Sequence, residues 1–383
     1  MRKLAALAIC CILALSVLVV SCGEEETTTT SAAPATTATT QAPETTTTAA
    51  PTETTAPSTE TTAASGPQVI PDVEPIELSM ACFLPDIPPG ADWHRDFITK
   101  VQEYSAGKIT IKFNGPEAIP APDQPAAVQR GTMDLASVMA AYCDTMVPGC
   151  STIGRAEYSP PELRNGNPAF KYYEEEFAKN GIKYLGASVS SRPQEQTVIY
   201  LGKVIDGLND LKGLKIAATG GSNRSFIESL GAVCVPIDFT EYFTAMERGT
   251  VDGYNIGIPG IQDFGLTPVT KAMLDEPFSS CGGMMIMNLK KWESLTEKQK
   301  QVITQAMVQT EIDMAEHFHQ TVEKVKKDLE AAGVKIIHLS PEESKQFYLK
   351  YRESMWAEDI ARWPDIGPKL KEWLVNPDFE RAK

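Results

Sequence analysis

Histidine is scarce in this chain: four in 383 residues, at 94, 317, 319 and 338. His317 and His319 are two apart, so on a helix they point different ways. No HExxH, Gly-x-Ser-x-Gly or Cys-x-x-Cys pattern occurs. Metal, acyl-transfer and dithiol chemistry therefore lack their usual local signatures. The expectation is no enzyme, no cofactor and no metal, with scattered catalytic residues left open. Basic residues are outnumbered, 35 Lys and Arg against 50 Asp and Glu, and the net charge of −15 argues against a nucleic-acid partner. The same acidity fits any solvated exported surface, so it does not identify a ligand.

Long apolar runs are also missing, with one exception. Met1-Arg2-Lys3 precedes an apolar stretch from Leu4 to Val20, which closes as Val19-Val20-Ser21-Cys22. A basic start, an apolar middle and a small residue before the cut mark an export signal. Cys22 at the first mature position resembles the lipobox of bacterial lipoproteins, in which this thiol is lipidated. An uncleaved membrane anchor is the alternative, but the run is slightly short for a relaxed span and needs no cysteine there. Residues 1–21 are thus expected to be a signal peptide. The mature chain is expected to be extracytoplasmic, in the periplasm or on the cell surface, and held to the membrane by lipid on Cys22.

Apolar bulk is nearly absent from Gly23 to about Gly66, which is Thr, Ala, Pro, Ser and Glu. Such a segment cannot bury enough surface to offset its ordering entropy. Residues 22–72 are therefore expected to be a disordered stalk, with a reach on the order of 40 Å. O-linked sugars on its threonines remain open. Five cysteines follow Cys22, namely Cys82, Cys143, Cys150, Cys234 and Cys281, and an odd number cannot all pair internally. Only Cys143 and Cys150 are close in sequence. A disulfide between them and buried thiols both fit.

What is present is alternation. Ile76 to Phe83 reads as a strand, stopped by Pro85, Pro88, Pro89 and Gly90. Asp92 caps a helix to about Ser105 with Trp93, Phe97 and Val101 on its apolar face. Ile109 to Phe113 alternates as a strand, and a short helix to Arg130 leads through Gly131 into the strand Leu135 to Met139. Another strand is expected from Ile182 to Ser188. The second half repeats the plan, with strands at 214–217, 233–237 and 251–256 and helices at 223–230 and 240–248. This predicts α/β lobes with largely parallel sheets. Roughly 310 residues from Val73 onward are typical of two lobes.

The halves share an echo, Gln129-Arg130-Gly131-Thr132-Met133-Asp134 and Glu247-Arg248-Gly249-Thr250-Val251-Asp252. In each, a cation complements the helix end and glycine supplies a left-handed cap before the next strand. Later, Thr296-Glu297-Lys298-Gln299 has capping-box spacing, and no Pro or Gly interrupts the chain up to Ala332. Val302, Ala306, Phe318, Val322, Val325 and Leu329 mark the apolar stripe. At 1.5 Å per residue this helix is about 50 Å long, more than one lobe spans. Gly333 stops it, a strand follows to Leu339, and Ser340-Pro341-Glu342-Glu343 starts another helix.

From roughly Glu77 to Val334 the chain resembles the extracytoplasmic solute receptors of tripartite ATP-independent periplasmic (TRAP) transporters, of the dicarboxylate-receptor-like type. The resemblance is carried by Asp210-Leu211-Lys212-Gly213-Leu214-Lys215-Ile216, Leu230-Gly231-Ala232, Glu241 through Asp252-Gly253, Asn288-Leu289, Leu295-Thr296 and the long helix. It implies a two-lobed periplasmic-binding-protein-like α/β fold with a long helix bridging both lobes. Lobe I is expected at approximately 73–190 and 281–315, lobe II at approximately 191–280 and 316–383. It also implies a receptor that passes a small organic solute, expected to be an organic acid, to integral-membrane TRAP transporter subunits. The receptor of an ATP-driven importer, a sensory lipoprotein and a surface enzyme are the alternatives.

Most relatives place an arginine directly after Lys-Ile, where its fork binds a solute carboxylate. Here that position is Ala217, which carries no charge and is expected to leave space, so either the ligand lacks the usual carboxylate pose or another cation replaces the arginine. Arg192, after the strand ending near Ser188, is the first candidate replacement. Arg224, after the Gly-rich 219–222 stretch, is the second, since a helix start there can offer N–H groups to an anion. Asn255 and Tyr254 sit where the second lobe's strand should emerge at the cleft, although Asn also caps turns. Tyr142 ends the equivalent first-lobe strand. Phe83 and Trp93 are candidate apolar walls, with core packing as their ordinary role.

Overall fold

The computed structural model describes residues 68–84, 92–187, 196–219, 223–280 and 282–378. The signal peptide, Cys22, Arg192, Cys281 and residues 220–222 lie outside them. The first lobe's run is β1 (Ile76–Cys82), α1 (Asp92–Tyr104), β2 (Ile109–Asn114), α2 (Gln124–Arg130) and β3 (Leu135–Met139). Then come α3 (Pro160–Arg164), α4 (Pro168–Lys179), β4 (Ile182–Ala187) and β5 (Thr197–Leu201). The second lobe continues with β6 (Lys215–Ala218), α5 (Arg224–Ser229), β7 (Val233–Pro236), α6 (Tyr242–Glu247) and β8 (Gly253–Gly257). The chain then forms α7 (Gly260–Asp263), β9 (Ala272–Leu274), β10 (Gly283–Asn288), α8 (Leu289–Ser294) and α9 (Glu297–Ala331). It ends with β11 (Lys335–Ile337), α10 (Pro341–Arg362) and α11 (Gly367–Leu374).

Two sheets result, in the orders β2-β1-β3-β10-β4 and β11-β9-β5-β8-β6-β7. Neither is as parallel as the alternation predicts. β10 runs antiparallel to both β3 and β4, and β5 antiparallel to both β8 and β9. The reason is topological. β5 and β10 enter their sheets by crossing from the other lobe, so they arrive pointing the opposite way. Each sheet is covered on both faces, and β10 shows how. Met284 and Ile286 join the core under α2 and α4, while Met285 and Met287 join the core under α1 and α9.

The capping box at Thr296 forms, with the Gln299 N–H donating to Oγ1 (3.3 Å) and the Thr296 N–H to Gln299 Oε1 (2.9 Å). α9 then runs for 35 residues, about 50 Å, and changes cores on the way. Val302, Ile303, Ala306 and Met307 are buried in the first lobe, and Val322, Val325 and Leu329 in the second.

α10 makes the same passage in reverse. Its Phe347, Tyr351 and Met355 belong to the second lobe's core, while Trp356, with Leu370 and Leu374 of α11, belongs to the first. The expected assignment of all of 316–383 to lobe II is thus corrected. Ion pairs fix the crossing: Arg352 binds Glu157 through two nitrogens (2.7 and 2.8 Å), and Arg155 Nε donates to Asp359 (2.9 Å). At the other end, Ile70 is buried in the first core and donates to Tyr104 O (2.8 Å), so packing starts before Val73.

Candidate functional site

The carboxyl ends of the parallel strands gather where the chain crosses between sheets. β1, β3 and β4 end at the edge where β10 begins, with Gly283 opposite Met139 and Met284 opposite Ala187. In the other sheet β6 and β8 end where β5 begins, with Thr197 opposite Gly257. The crossing 275–282 is bonded to both sides. The Gln196 and Thr197 N–H groups donate to Ser279 O (3.2 and 3.1 Å), and the Ala140 N–H to Gly282 O (2.8 Å). In α/β sheets, ligands bind outside the carboxyl strand ends. This edge is therefore the candidate site.

Phe83 is the first residue past β1, half-buried and edge-on to the His94 ring at 5.9 Å. Trp93 lies in the core of α1, its ring 3.8 Å from that of His94. Tyr142 is half-buried in the turn that follows β3. Asn255 is buried on β8, and its Oδ1 has no hydrogen-bond partner.

Tyr254 requires a correction. Strand alternation sends it to the opposite face from Asn255, where it is fully buried, stacked on Tyr200 at 5.3 Å, its hydroxyl 2.6 Å from Thr270 Oγ1. Ala217 does not leave space either. It is fully buried in one cluster with Tyr200, Tyr242 and Tyr254, whose rings fill that part of the second lobe. Arg224 is exposed and paired along its own helix with Glu228 at 3.0 Å. The expected anion turn at 219–222 and Arg192 itself fall largely outside the described residues.

Three further uncharged side chains lie near Phe83. They are His94, Gln124 and Ser137, all fully buried. Burial pushes the His94 imidazole down to about 3, so it is neutral. His94 and Gln124 open helices and Ser137 lies inside β3, so no local signal marks them; burial without a partner shows only in three dimensions. Cys143 and Cys150 form no disulfide; both are buried thiols, and Cys150 Sγ lies 3.4 Å from Met284 Sδ. Among the described residues no cluster of three His, Cys, Asp or Glu side chains could hold a metal. No described helix is long and apolar enough to cross a membrane.

Two α/β lobes, joined by crossing strands at their carboxyl edges and tied by a long helix, make the architecture of a solute-binding receptor. Residues 88–359 match the family described as bacterial extracellular solute-binding protein, family 7 (DctP), and the chain belongs to that family. An outer membrane transporter protein, TsaT, from Comamonas testosteroni is 25% identical over 247 residues, 62% of this chain and 71% of that protein. Among solved structures, a TRAP periplasmic solute binding protein from Desulfovibrio salexigens with bound orotic acid is similar. It has TM-score 0.64 and 20% identity, over 77% of this chain and 96% of that one. DctP7, a Bordetella pertussis extracytoplasmic solute receptor binding pyroglutamic acid, has TM-score 0.63 and 19% identity, over 78% and 99%.

Proposed function

We propose that this protein is the receptor of a TRAP-type secondary transporter and that it holds a small organic acid at the crossing edge. The observation that carries the reading is the family match over 88–359, on a fold whose strands β1, β3, β4, β6 and β8 end at the crossing. Orotic and pyroglutamic acids, bound by two relatives, are both ring carboxylic acids, which supports an acid as the solute class. Ligand-linked closure of the lobes is the whole of the task; no bond needs to be made or broken. Arg192, expected in the crossing from β4 to β5, is the cation for the carboxylate, because Ala217 carries none and Arg224 is engaged with Glu228. Tyr142 and Asn255 contribute hydrogen bonds, and Phe83 an apolar wall. Lipid on Cys22 and the stalk at 22–72 keep the receptor near its membrane partner.

The test is a thermal-shift screen of the full chain against organic acids, amino acids and polyols, because a ligand at 100 times its Kd stabilises by about 2.7 kcal/mol. Stabilisation by one or more acids is expected, and a response confined to neutral polyols would overturn the reading. With the best acid, Arg192→Ala should weaken binding by about 1.5–3 kcal/mol. Cys22→Ala should release the protein from membranes or block its processing.

A further inference from the structure

A buried polar atom left without a partner costs about 1–3 kcal/mol, so clusters of them call for a reason. One such cluster surrounds the end of β1. His94 meets Phe83 edge-on, and neither of its ring nitrogens has a partner. Gln124 Nε2 donates to Cys82 O (2.7 Å) and Ile119 O (3.0 Å), which engages its amide hydrogens and leaves Oε1 unpaired. Ser137 stands beside Cys82 in the β1–β3 register, and its carbonyl accepts from the Phe83 N–H (3.1 Å). Its Oγ is also unpaired.

The second lobe supplies an independent match. Asp134 and Asp252 end the two echo motifs and join equivalent strands, so the residues three further on, Ser137 and Asn255, hold equivalent places. Both are buried, both carry an unpaired side-chain oxygen, and both stand opposite the strand that arrives from the other lobe, at Met285 and Ile199.

We propose that His94, Gln124 and Ser137 form the first lobe's subsite for the uncharged polar part of the solute, its ring N–H or hydroxyl groups, with Asn255 as the counterpart in the second lobe. This rests on the organic-acid reading above and specifies the acid. Gln124 Oε1 can only accept, so the solute must donate to it. Neutral His94 adds one donor and one acceptor. An acid with a bare hydrocarbon ring would leave all of these groups unpaired, and sites of this kind reject such analogues strongly.

Calorimetric titration of the full chain with three matched pairs tests this. The pairs are pyroglutamate with cyclopentanecarboxylate, orotate with benzoate, and D-glucuronate with cyclohexanecarboxylate. At least one polar acid should bind roughly 100-fold or more tightly than its hydrocarbon partner. Ser137→Ala and His94→Phe should each weaken that acid about 10-fold or more, leave the hydrocarbon acid unchanged, and leave the ligand-free Tm at pH 7 equal or higher, since an unpaired buried group has been removed. Equal binding within every pair overturns the subsite while the organic-acid reading stands. So does a variant with lowered Tm and unchanged affinity, or with equal losses for both members of a pair. Failure of every acid to bind overturns the organic-acid reading and the subsite together.

Discussion

The junctions at Asp134 and Asp252 repeat one another bond for bond along the backbone. Thr132 and Thr250 N–H groups reach back to Ala127 O and Ala245 O, each at 2.9 Å, and Gly131 and Gly249 both have positive φ, 77° and 67°. Each aspartate N–H donates to the neighbouring parallel strand, at Ser79 O (3.1 Å) and Lys215 O (2.8 Å), and each carboxylate takes an N–H back from the same residue at 2.8 Å. Each aspartate carbonyl accepts from the crossing strand, from Asn288 (2.8 Å) and Gly202 (2.9 Å).

The side chains then part company. In the first lobe Asn288 Nδ2 donates to Val128 O and Gln129 O at the end of α2, and Lys291 pairs with Asp134 at 3.2 Å. In the second lobe the equivalent residue is Gly202, and a Cβ there would lie 3.1 Å from Met246 of α6. One junction is braced by side chains, the other by close packing. The backbone device is shared because helix–glycine–strand geometry demands it, whereas the means of holding it are free to diverge.

Four measurements bear on this contrast between lobes. The largest effect should come from α9. On its first-lobe half Glu311, nearly fully buried, accepts from Arg164 through both oxygens at 2.8 Å and from the Ala187 N–H at 3.1 Å. Glu311→Ala leaves the half-buried Arg164 and the Ala187 N–H without their carboxylate and should cost about 3 kcal/mol in denaturant unfolding. Lys326→Ala, which breaks the more open pair with Asp275 on the second-lobe half, should cost about 1 kcal/mol or less. Equal losses would erase the asymmetry.

Next is acid. Unfolded, the His94 imidazole takes up a proton near about 6.5, but folded it does so only near about 3. Acid therefore favours the unfolded chain between those values, and the stability His94 contributes is complete above the upper one and lost as pH falls. His94→Phe should spare about 2 kcal/mol of the loss between pH 7 and 5. Burial shifts Glu157 and Glu311 upward, which acts in the opposite sense but equally in both proteins, so the difference isolates His94.

Third, Asp134→Ala should cost about 2 kcal/mol, because it removes bonds to the Ser79 N–H and Oγ as well as the lysine pair. Asp252→Ala should cost about 1 kcal/mol. The smallest effects should be the most alike. Gly131→Ala and Gly249→Ala meet no close obstruction, so each bears only the left-handed strain, about 1 kcal/mol. A twofold difference between them would show that the junctions are not equivalent.

Much of this architecture is legible in the sequence because its signals are local. The strand Leu135–Met139 is read with the bounds it has, and the capping box at Thr296 and the stop at Gly333 mark α9 within a residue. β5, β9 and β10 escape because every residue of β10 is buried, so no alternation shows, and their partners are distant in sequence. The site divides in the same way. Strand ends are local, which places Phe83, Tyr142 and Asn255 near the edge. Which of Tyr254 and Asn255 faces the core is a matter of strand phase, and a one-residue difference reverses it. The unpaired atoms of His94 and Gln124 are a product of tertiary packing, with no sequence signature at all.

The sheet orders also set an order of completion for a chain made from its N-terminus. Among the described residues β4 pairs with no strand except β10, so until Asn288 has emerged the first sheet is in two pieces. The five strands β5 to β9 need nothing beyond Leu274 to find their neighbours. The lobe that begins later in the sequence can therefore join five of its six strands first, leaving the edge strand β11 to be added. The lobe that begins earlier must wait, its apolar strands exposed, for a segment synthesised after its neighbour is already paired.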